Sequence, residues 1–167
     1  DGPDRQTIQA QIETLGLDAQ VTLVGAVPPE EMALYYHVGD VFVFASTSET
    51  QGMVILEAMA AGLPVVAVRS SGIDDVVRDG YNGFKTPQNR QKWGQRVVEL
   101  VEDDRKLGSA TYPSRFIRPY ADDTLDSCRS AAPREDGAAA FHRATVKISG
   151  AVFFLLTKSL LSAFTYA

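Results

Sequence analysis

The chain has 167 residues, 45% of them apolar and 22% charged, which is enough for one domain with a real core and ordinary for a soluble globular protein. Its formal net charge of −5 excludes the electrostatic footprint of a nucleic-acid binder. Cys128 is the single cysteine, which rules out an internal disulfide and suits a reducing, cytoplasmic setting.

The chain opens on Asp1-Gly2-Pro3-Asp4-Arg5, with neither a signal peptide nor an initiator methionine, so it is expected to be a fragment or a processed piece. From Arg5 to Leu15 the apolar residues Ile8, Ile12 and Leu15 recur at helical spacing, and Gly16 supplies the stop. Val21-Thr22-Leu23-Val24 reads as a short buried strand. Pro28-Pro29-Glu30-Glu31 has the chemistry of a helix start, with a proline near the first helical position and acids in the first turn. That helix is expected to run to about Val38, before Gly39. Val41-Phe42-Val43-Phe44 is a continuous apolar run, typical of a strand buried on both faces.

A second helix is expected from about Gly52 to Ala61, broken by Gly62-Leu63-Pro64, and Val65-Val66-Ala67-Val68 is another buried strand. Ser70-Ser71-Gly72 reads as a small-residue loop, Ile73 to Arg78 as a short helix and Asp79-Gly80-Tyr81-Asn82-Gly83 as a turn. Phe84-Lys85 begins a last short strand. Gln91 to Leu107 reads as a helix with Trp93, Val97, Leu100 and Val101 on one face. Strands alternating with helices predict an α/β domain with a Rossmann-like parallel sheet flanked by helices.

Beyond Gly108 the regular pattern weakens. A further helix is expected within Phe116 to Arg129, a linker over residues 130–140, and an apolar tail over residues 141–167. Lys158 is the one charge between Ile148 and Ala167. Residues 127–167 carry net +3 and the rest of the chain −8. Val152, Phe153, Leu156, Leu160, Phe164 and Ala167 fall near one helical face, with Lys147, Lys158 and His142 beside it. That pattern predicts a helix lying on an anionic membrane surface or spanning a bilayer; a packed core helix or strand is the alternative.

The stretch from Ser48 to Ala67 carries the chemistry. Glu49 and Glu57 stand seven residues apart, Glu49 just after the strand-like run and Glu57 in the first turn or so of the helix that starts near Gly52. In an open parallel sheet, ligands sit beyond the carboxyl ends of the strands, and the loop from Ala45 to Gln51 lies at that edge. The first N–H groups of the following helix lack intrahelical partners and, with the helix dipole, form an anion site. Gly52, having no Cβ, lets a ligand oxygen approach its backbone. Ionised carboxylates only accept hydrogen bonds, so Glu49 and Glu57 suit sugar or ribose hydroxyls better than phosphate. Plainer readings stand beside these: Glu57 as a partner of the helix dipole, Gly52 as a helix-start glycine, Ser70-Ser71-Gly72 as an ordinary turn, Asp74-Asp75 as an exposed helix face. His37 and His142 lack the neighbours of a metal site, so no metal is expected; nor is a nucleophile–base set visible.

These residues resemble a known family. Glu49 through Glu57 matches the E-x7-E motif of retaining GT-B glycosyltransferases of the family 4 type. The likeness extends to Asp1-Gly2-Pro3 as the end of a G-x-G-P turn, to Val21-Thr22-Leu23-Val24-Gly25, to the run from Glu57 to Ala67, and to the glycine-rich stretch from Gly72 to Gly83. It is strong over residues 1–107 and weak over 108–129. The resemblance implies residues 1–129 as a partial C-terminal, nucleotide-sugar-binding domain, with no cofactor and no bound metal. Glu49 would contact the donor sugar as the catalytic-site carboxylate. Gly52, Met53 and Val54 would offer N–H groups, Glu57 would hold the ribose hydroxyls, and Val24 to Val27, including Gly25 and Val27, would border the base. The implied reaction is retaining transfer of a hexose, from a UDP-sugar, to a lipid or glycan acceptor. The non-catalytic alternative is a nucleotide-binding module on the same fold.

Several departures accompany the match. The family's domain begins with a strand, a helix and a second strand that have no counterpart here, and its phosphate-clamping Arg and Lys lie in that part. The acceptor domain is also without a counterpart, so the chain alone is expected to be inactive and to expose apolar strand edges. Thr50-Gln51 replaces the common Gly-Phe, a wording similar to that of bacterial and plant enzymes that glycosylate diacylglycerol. Asp74 and Asp75 stand where a Pro-Glu pair is common.

Overall fold

The computed structural model describes residues 2–102, 144–149 and 151–156, the last two stretches as backbone. Their elements in chain order are α1 (Arg5–Thr14), β1 (Val21–Leu23), α2 (Pro29–Val38), β2 (Val41–Phe44), α3 (Met53–Ala60), β3 (Val65–Val68), α4 (Ser71–Val76), β4 (Phe84–Thr86), α5 (Arg90–Glu102), β5 (Ala144–Ser149) and β6 (Ala151–Leu156). The local chemistry explains the boundaries. Gly16 takes a left-handed φ of 66° just beyond α1, the usual glycine stop. Pro29 opens α2 with Glu30 and Glu31 in its first turn. Gly39 ends α2 by turning extended rather than left-handed.

The sheet runs in the order β1-β5-β6-β2-β3-β4. β2, β3 and β4 are mutually parallel, and β5 runs parallel to β1. β6 is antiparallel to both β5 and β2. Among the described strands β6 alone is therefore reversed, and β1 to β4 all end on one edge.

The α/β architecture matches the expectation, and two details differ from it. The inner edges of β1 and β2 are not left open: the β5–β6 hairpin lies between them, pairing Val21 with Ala144 and Val43 with Phe154. The tail is also not helical over its described part, since residues 144–149 and 151–156 are strands. An interior strand leaves its N–H and C=O groups unsatisfied unless another strand pairs with it. Thr145-Val146-Lys147-Ile148 and Val152-Phe153-Phe154, on either side of Gly150, have the β-branched and aromatic composition to do so. The helical spacing in the tail loses to that demand. Among the described residues no helix is long and apolar enough to cross a membrane. The expected helix within 116–129, the linker over 130–140 and the tail's end at 157–167 lie outside the described residues.

The core has two sides because side chains alternate along each strand. Phe42, Phe44, Val65 and Ala67 pack with Ala33 and Tyr36 of α2, Ile55, Leu56, Ala58 and Met59 of α3, and Ile73 and Val76 of α4. On the opposite face Val41, Val43 and Val66 pack with Val97, Leu100 and Val101 of α5. Each Val, Leu, Ile, Phe or Met side chain among them, fully buried, contributes about 1.5–3 kcal/mol relative to exposure. β2 and β3 are buried at every position, which makes them the rigid floor from which the site loops rise.

Candidate functional site

The loop from Ala45 to Gly52 leaves β2 at the carboxyl edge of the sheet and feeds α3. Glu49 folds back over this loop. Its Oε1 accepts hydrogen bonds from the N–H groups of Gly52 at 2.8 Å, Gln51 at 2.9 Å and Thr50 at 3.1 Å. Three converging N–H groups form an anion nest, and a carboxylate oxygen of the chain itself occupies it. The Gly52 N–H is the main reason that the Glu49 carboxyl lies below the usual carboxylate range; partial burial opposes it, and the Gln51 and Thr50 N–H groups add to it. Glu49 is thus held ionised as a hydrogen-bond acceptor, the wrong state for a general acid at neutral pH.

Gly52 precedes α3 with φ 68° and ψ 20°. Left-handed backbone explains the glycine, and space does too: a Cβ there would lie 3.0 Å from Val76 Cγ2 and 3.1 Å from the Gly72 carbonyl oxygen. The requirement lies inside the fold, beyond ligand access alone. Met53 and Val54 follow as the first two residues of α3. Among the described residues their N–H groups meet no backbone or side-chain acceptor, as the start of a helix leaves them. They are the donors left open at the start of α3.

The β3–α4 segment buttresses this loop. The Glu49 carbonyl oxygen accepts from the Gly72 N–H at 3.2 Å and from the Ser70 hydroxyl at 3.4 Å. Gly72 sits so close that a Cβ would lie 2.5 Å from the Thr50 carbonyl carbon and 2.8 Å from the Gln51 nitrogen. Ser71 and Gly72, expected in a loop, form the first turn of α4. The small-residue-loop and ordinary-turn readings of Ser70-Ser71-Gly72 did not anticipate a structural support for the Glu49 loop.

Glu57 lies one turn deeper than expected. It is the fifth residue of α3, which has no acidic residue in its first turn, so it is not a partner for the dipole at the helix start. Roughly 7.5 Å of helix rise separates it from Gly52. Its Oε2 accepts a 2.8 Å hydrogen bond from the Tyr36 hydroxyl. Tyr36 is completely buried on α2, with its ring 5.7 Å from that of Phe42. A buried tyrosine hydroxyl needs a partner, and no sequence spacing could have joined α2 to α3 here.

Gly25, buried with a left-handed φ of 78°, and Val27, half-buried, follow β1. They open on the same sheet edge as the Glu49 loop. Three strand spacings separate β1 from β2, about 14 Å, so Gly25 and Val27 flank the Glu49 loop at a distance and do not touch it through the sheet. Asp74 and Asp75 are exposed, as expected, and Asp74 pairs with Lys85 at 2.8 Å. Among the described residues no cluster of His, Cys, Asp or Glu could hold a metal ion.

An open α/β sheet whose carboxyl edge carries an ionised glutamate in an amide nest, two unpartnered helix-start donors and a second glutamate has the architecture of a Rossmann-like domain. The family model for "Glycosyl transferases group 1" matches residues 1–115, and the chain belongs to that family. It is 32% identical over 122 residues to an alpha-monoglucosyldiacylglycerol synthase of Acholeplasma laidlawii, covering 72% of this chain and 30% of that protein. It is 34% identical over 111 residues to a D-inositol 3-phosphate glycosyltransferase of Corynebacterium urealyticum, covering 65% of this chain and 26% of that protein. The crystal structure of Anabaena HepE in complex with UDP and glucose superposes with a TM-score of 0.62 at 28% identity, covering 74% of this chain and 34% of that one. The chain thus spans about a third or less of the length of these relatives. The fold is that of the GT-B glycosyltransferases.

Proposed function

We propose that this chain is the C-terminal, donor-binding part of a retaining hexosyltransferase that uses a nucleotide-sugar, UDP-linked by preference, with a membrane glycolipid as the product. The observation that carries the reading is the ionised Glu49 carboxylate, held over the start of α3 by three N–H groups. Glu49 accepts hydrogen bonds from the donor sugar's hydroxyls, and Glu57 from the ribose hydroxyls. The Met53 and Val54 N–H groups, with the α3 dipole, face the diphosphate and favour the negative charge that grows on it as the sugar leaves. Gly25 and Val27 border the base. No metal or cofactor enters this account.

The lipid acceptor is supported by the likeness to a diacylglycerol-lipid synthase and by the net +3 of residues 127–167, which suits an anionic membrane surface on the cytoplasmic side. The likeness to an inositol phosphate glycosyltransferase favours a second reading, a soluble acceptor. Co-sedimentation of the whole chain with anionic and with zwitterionic liposomes separates the two: binding to the anionic vesicles that is lost on the zwitterionic ones supports the lipid reading, and no binding to either contradicts it.

Alone, the chain is proposed to be silent in transfer, since it spans 30% of its lipid-synthase relative; measurable turnover by the isolated chain would overturn that. In a complete enzyme, Glu49→Ala cuts transfer and Glu57→Gln weakens donor binding. Unchanged kinetics in both variants would refute the site.

A further inference from the structure

We propose that Tyr36 is the positioning residue that aims Glu57 at its ligand, and that it thereby sets the domain's preference for a ribose carrying vicinal hydroxyls. The inference rests on the donor-binding reading of Glu57 given above.

The geometry is specific. Tyr36 has no exposed surface. Its ring packs against Phe42 in β2 at 5.7 Å, and its hydroxyl donates to Glu57 Oε2 at 2.8 Å. The donor therefore stands on a fixed base: a ring wedged between α2 and the central sheet has no second rotamer available in a close-packed core. Glu57 is half-buried on α3, at the margin between that core and the site. A glutamate side chain has three rotatable bonds, and an untethered one loses that freedom whenever it engages a ligand. Anchoring one carboxylate oxygen removes the freedom in advance and leaves the carboxylate plane in one orientation, so a diol meets a preorganised acceptor. A hydrogen bond to an ionised group is also about twice as strong as a neutral one. The Tyr36 hydroxyl donates to Glu57, and Tyr36 itself is fully buried, so its effect on a ligand passes through that carboxylate.

A purely structural tyrosine would affect every ligand alike, whereas a positioning tyrosine affects the ribose hydroxyls alone. The test measures binding of uridine 5′-diphosphate and of its 2′,3′-dideoxy analogue by ligand-observed NMR, to the wild-type chain, Tyr36→Phe, Glu57→Ala and the double variant. Tyr36→Phe keeps the ring and removes only the hydroxyl; thermal unfolding checks that it folds. Tyr36→Phe is expected to weaken the ribonucleotide about tenfold and to leave the dideoxy analogue unchanged. On the Glu57→Ala background it should cost the ribonucleotide nothing further, as coupled residues behave in a mutant cycle. Equal losses for both nucleotides, no loss for either, or additive losses in the double variant would overturn the proposal while leaving the donor-binding reading in place. Failure of the wild-type chain to bind either nucleotide would overturn that reading, and this inference with it.

Discussion

Replacing Gly72 by alanine tests how the Glu49 loop is held. The added Cβ would lie 2.5 Å from the Thr50 carbonyl carbon, 2.8 Å from the Gln51 nitrogen and 2.8 Å from the Thr50 carbonyl oxygen. Non-bonded carbon atoms rest at about 3.5–4.0 Å, so the two segments must separate by roughly 1 Å at that point. All three opposing atoms are backbone, and no side chain can rotate out of the way. Overpacking of this kind costs about 1–3 kcal/mol. In a chain of this size each kcal/mol lowers Tm by about 2–4 °C, giving an expected loss of about 2–12 °C in a circular dichroism melt. The same displacement breaks the Gly72 N–H bond to the Glu49 carbonyl and disturbs the amide nest, so the Thr50, Gln51 and Gly52 amide resonances should move. A wild-type Tm together with unmoved resonances would refute the claim that α4 buttresses the loop.

Three further outcomes follow from the same reasoning. Gly94 lies within α5 with nothing within 4 Å of an added Cβ, so Gly94→Ala should stabilise the fold by about 0.5–1 kcal/mol, read as a rise in Tm. Leu100 is buried against the β2–β3 face, and Leu100→Ala should cost about 2–5 kcal/mol in a denaturant titration. The Glu49 carboxyl is lowered in the folded state, chiefly by the Gly52 N–H. Its contribution to stability is therefore fully present above the ordinary glutamate value of about 4.3 and is lost as the pH falls through the lower folded-state value. Glu49→Gln should flatten that part of the acid-unfolding curve, and an unaltered curve would contradict the assigned nest.

Much of this fold is legible in short-range patterns. Val41-Phe42-Val43-Phe44 and Val65-Val66-Ala67-Val68 announce doubly buried strands, and Pro29, Gly16 and Gly62 mark where helices can start or stop, because those signals act within a few residues. What escaped depends on contacts between distant segments. The Tyr36 hydroxyl meets Glu57 across 21 residues, and no periodicity encodes that. Gly72 looked like turn chemistry because its constraint, the Thr50–Gln51 peptide, lies on another loop. Counted from Met53, Glu57 is the fifth residue of α3 and so falls in its second turn. The tail's apolar spacing suits a helix until the open edges of β1 and β2 are considered, and these favour strands over residues 144–149 and 151–156.

The central claim is that Glu49, Gly52, Met53 and Val54, with Glu57, Gly25 and Val27, form one donor site. Amide chemical-shift mapping of this chain during titration with a UDP-hexose tests it most directly. The account predicts saturable shifts centred on Gly52, Met53 and Val54, extending to Gly25 and Val27, and abolished by Glu49→Ala together with Glu57→Gln. Saturable shifts clustered elsewhere on the sheet, or none at any concentration of the nucleotide-sugar, would contradict it.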